Sequence, residues 1–419
     1  MKNIFKFVPN DDDNNFIIQE PELQMAIKND KNGNVSSSLN ENLEAFKEFF
    51  HFPLSNDFKI RLFEISINSQ KHNAALLFYD GLADSNSINN AILKPLMKDI
   101  CIEQKGIIKK ISSNDLKDVI LGTVLVQSQL NITEKYSKII DAINHGECAL
   151  FVDTLNVAIV CDAKKIPARS IGKSENEMTI KGPSEGFIET MRTNTALIRK
   201  FVKDENLIFE SMEVGTKSKT KCSIAYISDI TNESIINEVK RRIESLDVDY
   251  LIDIGELEQF IEDKTYTVSP LVLSTERPDK VASNLIEGRV AILLDGSPNV
   301  LIVPAILTDF THSSEDTYIR HPYALLLRIF RLPAIFLSVF LPGLYIAITT
   351  FHQEMIPTDL LFAIAGTREK VPFPMLAELL IMEVAFEIIR EASIRTPAPV
   401  GPTLGIVGTL ILRTSNCYC

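Results

Sequence analysis

What the chain lacks narrows its chemistry first. Its six cysteines, Cys101, Cys148, Cys161, Cys222, Cys417 and Cys419, form no CxxC pair, so a disulfide framework is not expected. They read as reduced thiols of a cytoplasmic domain. Its six histidines, His51, His72, His145, His312, His321 and His352, show no metal-ligand spacing. His352 is followed by Gln353-Glu354 and lacks the second histidine of a zinc-protease helix. No Ser/His/Asp or Cys/His set can be assembled, so neither enzyme activity nor a cofactor is expected. A concentrated basic patch is also missing. Lys and Arg number 43 against 55 Asp and Glu, for a net charge of −12, which argues against nucleic acid. The first ten residues are short, mixed and followed by Asp11-Asp12-Asp13, so they do not read as a secretory signal.

One motif has to be set aside. Ile171 to Ser174 reads IGKS, but a phosphate loop needs a glycine five residues before the Gly-Lys pair so that backbone N–H groups curl around phosphate. That position is Pro167, which supplies neither the freedom nor the N–H. A solvated linker is the better account.

What remains is a chain of 419 residues with 45 % apolar and 23 % charged residues, enough for two or three domains with sizeable cores. Residues 1–50 are polar and rich in Asn, Asp, Glu and Ser, and read as a flexible acidic tail with a short helix over 43–50. Residues 51–165 read as a first α/β subdomain. Strands are expected over 60–66 and 74–79, a helix over 88–100 capped by Asn86 or Ser87, an amphipathic helix over 130–144, and a hairpin at 148–152 and 157–160. A Lys-, Ser-, Gly- and Pro-rich connection over 166–186 follows. A second α/β subdomain, 187–320, is expected to hold a helix over 189–201, strands over 207–214 and 221–227, and a helix over 232–245. The hairpin over 287–303 turns on Asp295-Gly296-Ser297-Pro298.

The organising stretch lies later. From Leu332 the chain reads LPAIFLSVFLPGLYIAITTFHQ, without formal charge and just long enough to cross a bilayer as a helix, which takes about 20 apolar residues. Arg320, Arg328 and Arg331 precede it, and the positive-inside rule then puts the preceding residues in the cytoplasm. A first transmembrane helix with a basic flank is expected over 321–353, a loop over 354–374 with the helix-breaking Pro372-Phe373-Pro374, and a further helix over 375–395. A short apolar segment and polar tail complete the chain over 396–419.

The helix after Pro374 carries four glutamates among Leu, Ile, Met, Ala, Val and Phe. Glu383, Glu387 and Glu391 fall within an arc of about 80°, while Glu378 lies nearly opposite Glu387. Ionisable residues at membrane depth usually face a bundle interior or a water-filled path, and rings of carboxylates select cations. An amphipathic helix lying on the membrane fits as well, with Glu387–Arg390 and Glu391–Arg395 as ordinary helical pairs. Glu383, with no cation one turn away on either side, leans toward a cation path.

Several long blocks resemble one family. GPSEGFIETMRTNTALIRK, TERPDKVASNLIEGRVAILLDGSPNVLIVP, SSEDTYIR and the stretch from HQEMIPTDLL to GPTLGIVG are similar to the A subunit of the GerA-type spore germinant receptors. The likeness is dense over about 180–412 and loose over 50–165. It implies an α/β two-part soluble N-terminal domain followed by an α-helical membrane region, in the inner membrane of a dormant bacterial spore with the N-terminal domain cytoplasmic. It further implies a transporter-like B subunit and a lipoprotein C subunit as partners, a homo-oligomer of A subunits, and a cation channel opened by nutrient. Glu383, Glu387 and Glu391 are then expected on the cation pathway. Pro372, Phe373, Pro374, Arg395, Pro397, Gly401 and Pro402 belong to the membrane-region motif.

The end of the chain departs from that pattern. The family continues past GIVG into further membrane helices, whereas here GTLIL passes into RTSNCYC. The expectation is a C-terminally truncated subunit. One alternative is a vestigial or interaction protein that assembles with or blocks full-length subunits. Another is an enzyme using the α/β unit, which rests on fold analogy alone.

Overall fold

A computed structural model describes residues 31–394 except 32, 68–69, 99–115, 118–119, 125–129, 166–176, 178–180, 265–266, 268–269 and 369–371. The chain divides into two compact units, Met1–Ile306 and Leu307–Cys419.

The first unit holds two lobes, each a five-stranded sheet between helices. In lobe 1, α1 (Leu39–Phe49) leads into β1 (Phe58–Ile67) and β2 (Gln70–Tyr79). A helical run over 85–98 with a π-helical centre follows, then β3 (Leu130–Thr133), α2 (Tyr136–Asn144), β4 (Cys148–Val152) and β5 (Ala158–Cys161). The strand order is β1-β2-β4-β5-β3. The FKIRLFEISI sequence of β1 alternates because each face meets a different layer. Phe63 and Ile65 pack with Ile88, Ile92 and Leu96 on one side, while Phe58 joins Leu43, Phe46 and Ile139 on the other. Strands β4 and β5 are buried on both faces and are apolar throughout.

Lobe 2 runs α3 (Met191–Phe201), β6 (Leu207–Val214), β7 (Thr220–Ile227), α4 (Glu233–Glu244), α5 (Ile254–Ile261), β8 (Leu273–Thr275), α6 (Pro278–Ile286), β9 (Val290–Leu294) and β10 (Val300–Val303). Its order, β6-β7-β9-β10-β8, is that of lobe 1 repeated. The local devices repeat too. In lobe 1 the buried Asn42 accepts from Ser36 N at 2.9 Å and donates to Ser36 O at 2.7 Å, while Asp153 accepts from Leu39 N, the first residue of α1. In lobe 2 the buried Asn194 accepts from Ile188 N at 2.9 Å and donates to Ile188 O at 2.5 Å, and Asp295 accepts from Met191 N at the start of α3. The hairpin turns beside these aspartates use left-handed residues, Thr154 at φ 77° and Gly296 at φ 94°. The lobes are two copies of one supersecondary plan.

The two-part α/β reading holds, with every strand pairing among the described residues antiparallel. Several local expectations are corrected. The helix expected over 130–144 is β3 followed by α2, because Leu130–Thr133 pairs with Cys161–Ala158. The run expected over 88–100 begins at Ser85, capped by the Asp84 carboxylate. Residues 33–50 are not a tail: Val35, Leu39, Leu43, Phe46, Phe49 and Phe50 are buried in lobe 1. The IGKS stretch lies outside the described residues.

The second unit begins with a short helix, Leu307–Thr311, and a 3-10 turn, Ser314–Thr317, closed by a reciprocal Ser313–Asp316 capping box. Then come α7 (His321–Phe351), α8 (Thr358–Arg368) and α9 (Met375–Ile394). Helix α8 occupies much of the stretch expected as a loop over 354–374. Helix α7 has 31 residues and tolerates Pro333 and Pro342 in its interior. Large apolar side chains are exposed around it, among them Ile329, Phe336, Leu337, Phe340 and Leu344. By length and composition it is the one helix among the described residues able to cross a membrane.

Candidate functional site

Three places gather the chemistry, two in the second unit and one in the first. In the second unit, α9 presents the expected carboxylates. Its start is set by Pro372-Phe373-Pro374: Pro374 has no N–H to give, and its carbonyl accepts from Glu378 N at 3.1 Å. Thr349 near the end of α7 lies against Met375, the first residue of α9.

Glu383, Glu387 and Glu391 are all exposed and, spaced by four, rise along one side of the helix by about 6 Å each. Their surroundings differ. Glu387 accepts from the Arg390 guanidinium at 2.5 Å, the pair foreseen at i,i+3. Glu378, on the other side, is 3.6 Å from Arg368 of α8. Among the described residues no ion pair or hydrogen bond involves the Glu383 side chain. Arg395, Pro397, Gly401 and Pro402 lie outside the described residues.

At the base of α7 a buried carboxylate is held by cations. Arg331 donates to Asp316 at 2.8 and 3.2 Å and to Thr311 O at 2.6 Å, and Arg328 lies 3.5 Å from the same carboxylate. Burial works against the charge on Asp316, but the Arg331 hydrogen bonds and charge outweigh it and hold the carboxyl below its usual range. The SSEDTYIR block thus pins the first turns of α7 to the chain that leads into it.

In the first unit the chemistry sits where the lobes meet. Arg199 of α3, 2 % exposed, reaches from lobe 2 into lobe 1. It pairs with both oxygens of Asp57, donates to Ser55 Oγ at 3.3 Å and to Leu207 O at 2.8 Å, and stacks 3.7 Å from the Tyr79 ring centroid. Burial opposes its charge. The charge and hydrogen bonds of Asp57 outweigh that and raise its pKa. Burial also pushes the Tyr79 phenol up, with Arg199 acting the other way, and its hydroxyl has no hydrogen-bond partner among the described residues.

Around this pair, Asn56 N donates to Phe209 O at 2.9 Å, Arg192 binds Asp80 and Ser85, and Glu205 takes Lys31 at 2.5 Å and Asn144 at 3.1 Å. Gly81 sits where a Cβ would lie 2.9 Å from Arg192 O, so the lobes approach there as only glycine allows. A second buried arginine, Arg277, binds Asp279 and the carbonyls of Glu177 and Pro183, which ties the interlobe connection to α6.

Sequence reasoning found the acidic helix and missed both buried arginines. Arg199 and Arg277 do stand inside blocks that carry the family likeness, ALIRK and TERPDK, but a charged residue in such a block reads as surface until the fold closes over it.

Residues 44–415 match the family model described as Bacillus/Clostridium GerA spore germination protein. The chain is 40 % identical over 379 residues to spore germination protein KA of Bacillus subtilis, covering 90 % of this chain and 67 % of that one. It is 35 % identical to spore germination protein B1 of Bacillus subtilis, covering 90 % and 75 %. Among solved structures, the N-terminal domain of the A subunit of the Bacillus megaterium spore germinant receptor GerK3 is similar at 29 % identity and a TM-score of 0.49, over 66 % of this chain and 98 % of that one.

Proposed function

The chain belongs to the GerA family of spore germination proteins, and on that premise we propose that it is an A-type subunit of a nutrient germinant receptor. It acts in germinant-triggered cation release across the spore inner membrane. The observation that carries this reading is the single collinear match over residues 44–415, which spans both lobes, α7 and the acidic helix. The first unit is a cytoplasmic domain and α7 its anchor. Helix α9 lines a cation path through Glu383, Glu387 and Glu391, with several copies supplying a ring of carboxylates. A transporter-like B subunit and a lipoprotein C subunit complete the receptor, and the chain itself carries out no covalent chemistry.

Supporting the membrane part is the exposure of large apolar side chains around α7, a pattern water would penalise and lipid would not. Supporting the cation path is Glu383, an exposed carboxylate on an otherwise apolar turn. The test is a clean deletion in spores that carry no redundant receptor, with potassium release followed after exposure to amino acids and sugars. Loss of nutrient-triggered release, restored by complementation, is expected. Unchanged release would overturn the role.

A further inference from the structure

Lobe 2 has two opposite ends, and both expose apolar side chains. At one end, the turn between β6 and β7 meets residues 248–251: Thr216 N donates to Val248 O and Lys217 N to Asp249 O. Tyr250 and Ile252 are exposed there. At the other end lie the start of β6, the end of β7, the start of β9 and the end of β10, since Leu207 pairs with Ile227 and Val303 with Val290. Ile230 is 50 % exposed and Ile286 is 56 % exposed at this end. A Cβ on Gly288, two residues after Ile286, would lie 3.2 Å from Ile230 Cγ2, so the two stretches of chain come together at this end. Lobe 1 adds to it. His51 sits 3.3 Å from Ser228 Oγ and 3.5 Å from Asn206 Oδ1, and the turn after His51 exposes Phe52 and Leu54.

The two ends differ in where the chain goes next. It leaves the first unit from the Ile230–Ile286 end: β10 finishes there, and Ile306, itself 56 % exposed, closes the unit. Only residues 307–320 then precede α7, the helix able to cross a membrane. An apolar patch near the point where a domain is joined to its own anchor by a short stretch of chain meets lipid at high effective concentration whatever its intrinsic affinity. We propose that this end of lobe 2 seats on the bilayer interface, with Ile230 and Ile286 entering the headgroup region and Phe52 and Leu54 at the margin. The attraction is apolar, because exposed Asp229 and the Glu287–Arg289 pair give this end no surplus of cations to draw anionic lipid. The Tyr250–Ile252 end stays in water. The inference rests on the membrane reading of α7.

The chain contains no tryptophan, so a single introduced indole reports without background. Full-length Ile230→Trp, Ile286→Trp, Tyr250→Trp and Leu337→Trp would be placed in phosphatidylcholine nanodiscs with and without acyl-brominated lipid, which quenches indole on contact. Leu337, on α7, reports the membrane reading and Tyr250 the distal end. The expected result is strong quenching at Leu337, quenching at Ile230 and Ile286 about half as large or more, as for side chains at interfacial depth, and none at Tyr250. The pattern should persist at high salt. Quenching at Leu337 alone overturns the seat and leaves the membrane reading standing. No quenching at Leu337 removes both. Blue-shifted emission at Ile230 and Ile286 without bromine quenching means that a protein surface covers this end, and the lipid seat is wrong.

Discussion

Arg199 and Asp57 come from different lobes and meet in the joint between them, with Nη2 3.0 Å from Oδ1 and Nε on Oδ2, both side chains nearly closed off from water. Such a pair is weak evidence of net stabilisation, since bringing two charges out of water opposes their attraction. Breaking it is another matter. Asp57→Ala leaves a guanidinium buried with Ser55, backbone carbonyls and the Tyr79 and Phe209 rings but no carboxylate against it, and is expected to destabilise the first unit by about 3–5 kcal/mol. The measurement is denaturant unfolding of the detergent-solubilised chain, followed by circular dichroism. Glu238→Ala removes a half-exposed carboxylate whose partners are the exposed Arg241 and the half-buried Arg242, which keeps Asp263 and Ile261 O, and should leave the midpoint nearly where it was. Equal effects from the two would mean that the joint is solvated.

The repeated asparagines give a second prediction. Asn42 and Asn194 each exchange two hydrogen bonds with the backbone six residues earlier, in different lobes. Replacing either by Ala strands a part-buried N–H and C=O, and at Asn42 the Tyr136 hydroxyl as well, at a cost of about 1–3 kcal/mol for each site. Because the sites share no partner, the double variant should show the sum. Asp at either position keeps the acceptor and loses the donor, so it should fall between Asn and Ala. A large loss at one site and none at the other would show that the duplication is one of shape only.

Those asparagines also mark where sequence reasoning stopped. The hairpin around Asp295-Gly296, the long apolar helix and the acidic helix were legible because turn chemistry and periodicity are local signals. Strand β3 was not, since Leu130–Thr133 is only four residues long and runs into the helical spacing of Tyr136–Asn144. Helices α5 and α6 and strand β8 are short elements flanked by polar residues, and they form because Leu257, Ile261, Leu273, Val281 and Leu285 close the core of lobe 2. The duplication was hidden because it is kept at a few capping positions, such as Asn42 with Asn194 and Asp153 with Asp295. A core tolerates different apolar residues at one position when total volume is conserved, so the core carries no such local mark.

Acid should loosen the joint through Glu205. Burial raises the pKa of this carboxyl, but hydrogen bonds from Lys31, its own backbone and Asn144 outweigh it and hold it below the ordinary 4.5. A depressed folded value means that the contribution to stability is complete above about pH 4.5 and disappears as pH falls through the folded value. The melting temperature of the native chain should therefore exceed that of Glu205→Gln by a constant margin from neutrality down to about pH 5, with the margin shrinking below that. A margin that widened on acidification would mean that Glu205 is protonated in the native fold and its partners are misassigned.

The last prediction separates the two roles open to α9. If the helix lines a cation path, its carboxylates matter as charge, and they are not equivalent. Glu387 is already paired with Arg390 at 2.5 Å, whereas no ion pair or hydrogen bond of the Glu383 side chain occurs among the described residues. Glu383→Gln, which keeps size and polarity, should then slow nutrient-triggered potassium release by about tenfold, as expected when a ring loses its attraction for cations. Glu387→Gln should slow it less. Arg390→Gln frees the Glu387 charge and should leave release unchanged or faster. A helix lying on the membrane surface makes the opposite demand. All three carboxylates would face water, exposed charges there contribute little, and the three substitutions should leave release kinetics alike. Potassium measured in the medium of synchronised spores, with receptor abundance checked by immunoblot, distinguishes the two, because only a path through α9 ranks Glu383 above Glu387 and moves Arg390 the other way.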